Sequence, residues 1–383
     1  MASPELLFLV AGAGPHHCSA TFGRLSEGVD WARAGAMAHY HRVRPIVFRR
    51  ALDQDLPPPD LRADWEGALR ANAFRNLNLL GELVKTCRAL AAAGVDALPH
   101  KGPLLAMAAY GDLAAREFAD LDLLVRGEAV SRALETLGGL GYRVDPELAW
   151  LSSRALRRWT GEISCQSEAG DSIDLHWRFS PPHYPIQLDP RRVWPHATRL
   201  QVAGTTLPSL GPEALFLVLA VHGAKHAWEA LGWLADLAWL VSAPPAFDWT
   251  LAAELSLEAG CTRPFRLAAG LIAEVFAAEL PASLVDQIAR DGAVADLSER
   301  VLARWAAGPL EAPRSPELLA FAARLSPGPL QTARHVAGLL AHPTERDWRR
   351  GRLPEPLFCL YAPQRAMRLA QKYLSPAART GDS

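Results

Sequence analysis

Lysine is nearly missing from this chain. Of 383 residues only Lys85, Lys101, Lys225 and Lys372 are lysines, and arginine supplies the rest of forty basic residues. Forty-one acidic residues leave a formal net charge of −1, so no global field draws the molecule to nucleic acid or an anionic membrane, and any such contact is left to a local patch. Cysteine is also sparse. Cys18, Cys87, Cys165, Cys261 and Cys359 are odd in number, far apart and form no CxxC pair, which speaks against a disulfide framework or zinc ribbon and for a reducing, cytoplasmic setting. The opening "MASPELLFLVAGAG" lacks the basic stretch of a signal peptide, and no run reaches the roughly 18 apolar residues that a membrane span needs. Neither a GxxxxGK[ST] loop, a GxGxxG turn after a strand nor a GxSxG elbow occurs, which disfavours P-loop NTPases, Rossmann dehydrogenases and serine hydrolases.

What is present is globular. Half the residues are hydrophobic and about a fifth are charged, enough for two or three packed units. Residues 1–61 are mixed and close on "DLPPPD", which reads as a linker. Residues 62–93 then repeat apolar side chains at threes and fours (Leu69, Ala73, Leu77, Leu80, Val84, Cys87, Leu90), predicting a helix that Gly94 stops. Short strand-like pieces follow ("DALPHKG", "FADLDLLV", "YRV", "EISCQSE", "SIDLHWRF"), alternating with helical stretches over 103–110, 128–140 and 148–159. Ala169-Gly170-Asp171 marks a turn between the last two strands. From Gly211 the pattern is helical through Leu240, and prolines break further helices to Leu340.

Chemistry enters with three carboxylates. Side chains alternate across a strand, so in "FADLDLLV" Asp120 and Asp122 share one face while Leu121, Leu123 and Val125 take the other. In "SIDLHWRF" Asp174 holds the same kind of slot, with Ser172 and His176 on its face. Carboxylates gathered on one face repel and raise one another's pKa values. A divalent cation removes that penalty, and such hard oxygen ligands suit Mg²⁺ or Mn²⁺. A DxD on a strand can equally be a solvent-facing edge. Upstream, Lys101-Gly102-Pro103 opens a helix: glycine lets backbone approach a ligand, proline suits the first helical turn, and the free N–H groups there form an anion site. A plain strand-to-helix turn reads the same way.

These segments, "HKGPLLAMAAYGDLAAREFADLDLLV", "SIDLHWRF" and "HGAKHAWEALGWLADLAWL", resemble the uncharacterised nucleotidyltransferase family, a bacterial branch of the polymerase β-like superfamily, over roughly residues 75 to 245. A weaker echo lies in "LYAPQRAMRLAQKYL". The resemblance implies an α+β fold: a small mixed nucleotidyltransferase-type sheet flanked by helices in 62–205, and a largely helical region in 206–383. It makes Asp120, Asp122 and Asp174 metal ligands for Mg²⁺ or Mn²⁺, with Asp174 also activating the acceptor. The chain has Gly102-Pro103 where the superfamily has Gly-Ser or Gly-Gly, and a longer gap from Gly102 to Asp120. The implied activity moves a nucleoside monophosphate from an NTP to a hydroxyl on a peptide, protein, small molecule or RNA end. The alternative is a silent nucleotide-binding scaffold.

Other polar groups complete the expected site. Lys101, Gly102, Arg116 and Lys225 are assigned to the nucleotide, Arg116 pairing with the carboxylates or a phosphate. His222 and His226 stand at i, i+4, without the glutamate or third ligand of a zinc helix. With Lys225, Glu229, Trp233 and Asp236 they form a polar stripe, either a satisfied packing surface or a wall closing over the nucleotide. His176 either tunes Asp174 or caps the sheet edge. Arg365, Arg368 and Lys372 recur at helical spacing, as a solvated face or a place for an anionic acceptor.

Overall fold

Proline and helix-capping chemistry set the first boundaries. Ser3 caps helix α1 (Pro4–Ala13), and Asp30 caps α3 (Trp31–Tyr40), which follows α2 (Ser19–Leu25). Helix α4 (Arg44–Leu52) ends where "DLPPPD" turns the chain, and Pro59 opens the 34-residue α5 (Pro59–Ala92). The computed structural model describes residues 2–308 and 310–374. Gly94, at φ +69°, ends the turn that follows α5.

The expected strand pieces then appear in order: β1 (Ala97–Pro99), β2 (Asp120–Val125), β3 (Arg143–Val144), β4 (Glu162–Gln166) and β5 (Ser172–His176). Between them lie α6 (Gly102–Leu105), which runs on as a π turn over Ala106–Tyr110, then α7 (Val130–Gly139) and α8 (Ser153–Trp159). The sheet order is β1-β2-β5-β4-β3, with β2 parallel to β5 and all other pairs antiparallel. It is the small mixed sheet of an α+β protein. Helix α9 (Pro190–Val193) leads to a separate hairpin, β6 (Ala197–Val202) and β7 (Thr205–Leu210), which the apolar pattern does not predict.

The C-terminal half is helical: α10 (Pro212–Lys225), α11 (Leu231–Ser242), α12 (Trp249–Glu258), α13 (Thr262–Phe276), α14 (Ala282–Arg290), α15 (Gly292–Ala307), α16 (Ser315–Leu325), α17 (Pro329–Ala341), α18 (Glu345–Arg350) and α19 (Tyr361–Leu374). The helical stretch expected from Gly211 through Leu240 is divided between α10 and α11. Ala227 and Trp228 both take positive φ near 51°, which no helix tolerates, and Trp228 turns inward, fully buried.

Packing groups the chain differently from its order. Phe8, Phe22, Val47 and Phe48 of the N-terminal helices share one core with Phe216, Leu234, Phe265 and Leu297 of the C-terminal ones. A second core fills the sheet's other face, where Leu121, Leu123, Ile173 and Leu175 meet Leu83 and Leu90 of α5. Trp348, Phe358 and Tyr361 return from the C-terminus to this second core. On β2 the alternation is visible directly: Leu121 and Leu123 face the second core, while Leu124, on the side of Asp122, packs in the first. The carboxylate face thus looks toward α10 and α11.

Arg365 and Arg368 are tied to the protein itself and do not form a free anion site. Asp347 is buried and completes a capping box with Thr344; Arg365 Nη1 reaches its Oδ2 at 3.2 Å, and Arg368 Nη1 binds its Oδ1. Arg365 also donates to the Leu339 carbonyl. Both arginines fasten α19 to α18, because a buried carboxylate demands charge and donors; the Lys372 side chain lies outside the described residues. Asp347→Ala should therefore cost on the order of 3 kcal/mol in urea unfolding, the range for breaking a buried pair. A loss below about 0.5 kcal/mol would mean that the pair behaves as a solvated surface contact.

Candidate functional site

The pairing of β2 with β5 sets Asp122 directly opposite Asp174, one strand spacing away, about 4.8 Å between backbones. Asp120 lies two residues earlier on the same face. All three line one cavity of about 420 Å³ between the sheet and helices α10 and α11. Asp120 and Asp174 are half-buried and Asp122 is buried.

Asp122 departs from the expectation of mutual repulsion. Lys101 Nζ, just past the end of β1, lies 2.9 Å from its Oδ1, and His176 Nε2 lies 3.0 Å from the same oxygen. The other ring nitrogen of His176 meets Glu162 Oε2 at 2.9 Å. Burial works against the Asp122 carboxylate, yet Lys101 and His176 outweigh it and hold its pKa well below the usual value. Burial also disfavours charge on His176, but its two carboxylate partners raise its pKa to about 9. His176 therefore serves Asp122 and Glu162, not Asp174. Asp174 is held instead by Ser164, whose hydroxyl donates to Oδ1 at 2.5 Å.

Repulsion survives at Asp120. Desolvation, then the charges of Asp122 and Asp174, raise its pKa. Among the described residues no donor reaches either Asp120 oxygen, Oδ2 of Asp122 or Oδ2 of Asp174. Each carboxylate thus keeps an oxygen for a ligand, around a concentration of negative charge that a hard divalent cation relieves. The donor chemistry fits Mg²⁺ or Mn²⁺. A second donor set, His100, Asp122 and His176, brings one ligand atom from each within 4.8 Å of the others. A cation there would replace the bond between His176 Nε2 and Asp122, while the Nδ1–H of His176 could go on donating to Glu162.

The four residues assigned to the nucleotide line the same cavity, with different duties. Gly102 has φ +55°, and a Cβ there would stand 3.3 Å from the Asp120 carbonyl oxygen. Its first requirement is the turn's close approach to β2. Lys101 is engaged by Asp122, so Lys101→Ala or Gly102→Val would disturb the carboxylates before any phosphate. Arg116 does not pair with the carboxylate cluster: its Nε binds Asp236 Oδ1 at 2.7 Å, where the Tyr110 hydroxyl also donates at 2.9 Å. Its Nη1 is buried without a partner among the described residues. Lys225 makes no ion pair or hydrogen bond among the described residues, and burial lowers its pKa.

The polar stripe of α10 and α11 is the cavity's other wall. His222, His226 and Trp233 cluster at ring separations of 4.9–5.4 Å, and Arg42 stacks on Trp233 at 5.4 Å. Sequence reasoning passed over Arg42, which arrives from the N-terminal helices, and His100. It also passed over Glu162, although the antiparallel alternation of "EISCQSE" against "SIDLHWRF" could have found it.

The long gap before Asp120 has a structural reason. Asn72 Nδ2 donates to the carbonyls of Ala114 and Arg116, and Asn76 Nδ2 to those of Leu113 and Arg116, all at 2.7–3.1 Å. Arg49 holds Asp112 and Arg44 holds Glu117. The loop is thus a docking segment for α4 and α5, and it delivers Arg116 and Asp120. The buried stripe of α5 accordingly runs through Asn72 and Asn76, leaving Leu77 exposed.

Comparison with known proteins agrees with the geometry. The model of the uncharacterised nucleotidyltransferase family matches residues 27–277, about two thirds of the chain. The chain belongs to that family, and so to the nucleotidyltransferases. No curated protein matches it. The match takes in part of the N-terminal helices, which the initial resemblance left out, and stops short of "LYAPQRAMRLAQKYL".

Two outcomes test this site. Asp122→Asn should destabilise the protein by about 3 kcal/mol near neutral pH, since it takes from Lys101 its carboxylate partner and from His176 one of two. The Asp122 contribution is present above about pH 4 and fades as pH falls through its depressed folded pKa; that of His176 is complete below about pH 6.5 and is lost as pH rises through about 9. The difference from wild type in denaturant unfolding should therefore be largest between about pH 4 and 6.5 and shrink above pH 9. A pH-independent difference would remove the ion chain. Separately, Asn76→Asp should destabilise more than Asn76→Ala, because an acceptor would then face two carbonyl oxygens rather than lose about 1–3 kcal/mol of pairing. Equal midpoints would show that water replaces the amide.

Proposed function

We propose that the protein transfers a nucleoside monophosphate from an NTP to a hydroxyl acceptor and releases pyrophosphate. One observation carries the reading: three carboxylates with open oxygens share a cavity with Lys225, a cation that lacks a protein partner among the described residues. An unpaired ammonium in a half-buried cavity is a costly feature unless an anion comes to it. Phosphate is the anion that the neighbouring carboxylates, once bridged by metal, can also hold.

Asp120, Asp122 and Asp174 would hold Mg²⁺ or Mn²⁺, supplying charge neutralisation for the phosphates and the leaving group. The chain's own residues do the rest. Lys101 and His176 fix Asp122, Lys225 and the spare Nη1 of Arg116 face the triphosphate, and Asp174 takes the proton of the attacking hydroxyl. The acceptor oxygen bonds to the α-phosphorus while the bond to the bridging oxygen breaks, and its electron pair leaves with pyrophosphate. Positioning and charge supply most of the acceleration. In this reading residues 62–205 are the transferase core, residues 206–383 add the opposite wall, and the setting is the cytoplasm, where NTP is available.

Incubation of candidate acceptors with the four NTPs and Mg²⁺, followed by intact-mass analysis, should show addition of one nucleoside monophosphate. Asp174→Asn should slow that addition by at least about 100-fold, the usual contribution of a general base. Lys225→Met should weaken binding of a non-hydrolysable NTP in calorimetric titration by about tenfold or more, without lowering the melting temperature. Unchanged affinity in that variant would mean that the phosphates lie elsewhere and would sink this reading of the cavity.

A further inference from the structure

A second depression lies on the far side of Asp174. It has a volume of about 390 Å³, and Arg143, Asp145, Ser164, Gln166, Glu345 and Arg349 line it, from β3, β4 and the C-terminal helix α18. Ser164 sits opposite Asp174 in the antiparallel register. Its hydroxyl joins the two spaces, because it lines this groove while donating to the Asp174 carboxylate of the main cavity at 2.5 Å.

The charge of the groove differs from that of the main cavity. Arg349 is committed, at 2.7 Å to Asp145, 2.5 Å to Glu147 and 3.7 Å to Glu345. Arg143 turns Nη1 to the carbonyls of Gly138 and Tyr142. Two arginines against Asp145, Glu147 and Glu345 leave these five side chains with an excess of negative charge, which disfavours a nucleic-acid acceptor. One rim is β3, the edge strand of the sheet, whose outer backbone groups can pair with an extended chain.

We propose that this groove is the acceptor site, and that it takes an extended peptide segment without net negative charge, presenting a serine or threonine hydroxyl to Asp174. The proposal rests on the transferase reading given above. The side-chain oxygen forms the new bond to the α-phosphorus, pyrophosphate departs with the electron pair of the broken bond, and the hydroxyl proton passes to Asp174. Glu345 and Arg349 lie beyond residue 277, where the family match ends. Acceptor choice would therefore sit in a part of the chain that the family's shared sequence does not cover.

Gln166 lines the groove from an exposed position, so Gln166→Trp fills it without disturbing a core. Pyrophosphate release from ATP and Mg²⁺ is measured with single-serine hexapeptides of neutral, lysine-rich and glutamate-rich composition, and with a short oligoribonucleotide. The proposal expects release with the neutral or lysine-rich peptides, lowered at least tenfold by Gln166→Trp, while titration with a non-hydrolysable ATP analogue gives wild-type affinity and the melting temperature is unchanged. Release only with the glutamate-rich peptide or the oligoribonucleotide overturns it. So does release that Gln166→Trp leaves intact, or silence of every neutral and lysine-rich peptide in a protein that binds the analogue. Failure of the wild-type protein to bind the analogue rejects the transferase reading itself.

Discussion

Asp122 is a buried carboxylate between two positive charges, and the order of the strands around it follows from that fact. Lys101 from the end of β1, Asp122 on β2, His176 on β5 and Glu162 on β4 form an alternating chain of charges across four strands. A carboxylate so deeply buried is tenable only with such partners, since desolvation alone would drive it to the neutral acid. The chain also separates two kinds of carboxylate that look alike in the sequence. Asp122 has its charge already balanced and its geometry fixed. Asp120 keeps an unbalanced charge and a raised pKa.

A site of this kind needs walls, and the protein draws them from distant parts of the chain. The sheet alone offers a shallow face with carboxylates at one end. Helices α10 and α11 close over it because their apolar sides belong to the same core as Leu124 of β2 and the N-terminal helices. Arg42 enters the cavity from that N-terminal bundle, and α5 holds the loop before β2 through two asparagines. Backbone carbonyls of a buried loop must find donors, and here each amide serves two of them. The cavity is the seam between two cores.

Much of this was legible in the sequence, and the reason is periodicity. Period-two alternation in "FADLDLLV" and "SIDLHWRF" located both strands and the face of their carboxylates, and glycine and proline at 102–103 located the turn beside them. Periodicity is silent about which strands become neighbours. Only the parallel pairing of β2 with β5 brings Asp174 against Asp122, and only β4 beside β5 gives His176 its second partner. The same silence explains the arginines. A stripe of Arg365 and Arg368 looks solvent-facing until the buried Asp347 is seen beneath it. Arg116 looks like a partner of the carboxylate cluster until Asp236, 120 residues away, claims its Nε.

Which groups are satisfied by the protein then becomes the more telling question than which groups are charged. Lys101 and His176 are spent on Asp122 Oδ1, and Arg116 Nε on Asp236, and these pairs hold the cavity's shape. Among the described residues, Lys225, Arg116 Nη1, both oxygens of Asp120 and the outer oxygens of Asp122 and Asp174 are left over. Folding tolerates leftover charge poorly unless solvent or a ligand answers it. Here the leftovers are of opposite sign: cationic donors come from the helical wall and the loop before β2, and carboxylate oxygens from the sheet. The metal-bound triphosphate of the proposed reaction would satisfy both, since it is anionic and carries cations. The support that this charge pattern lends to the proposal comes from what the described residues leave unpaired, apart from the family match.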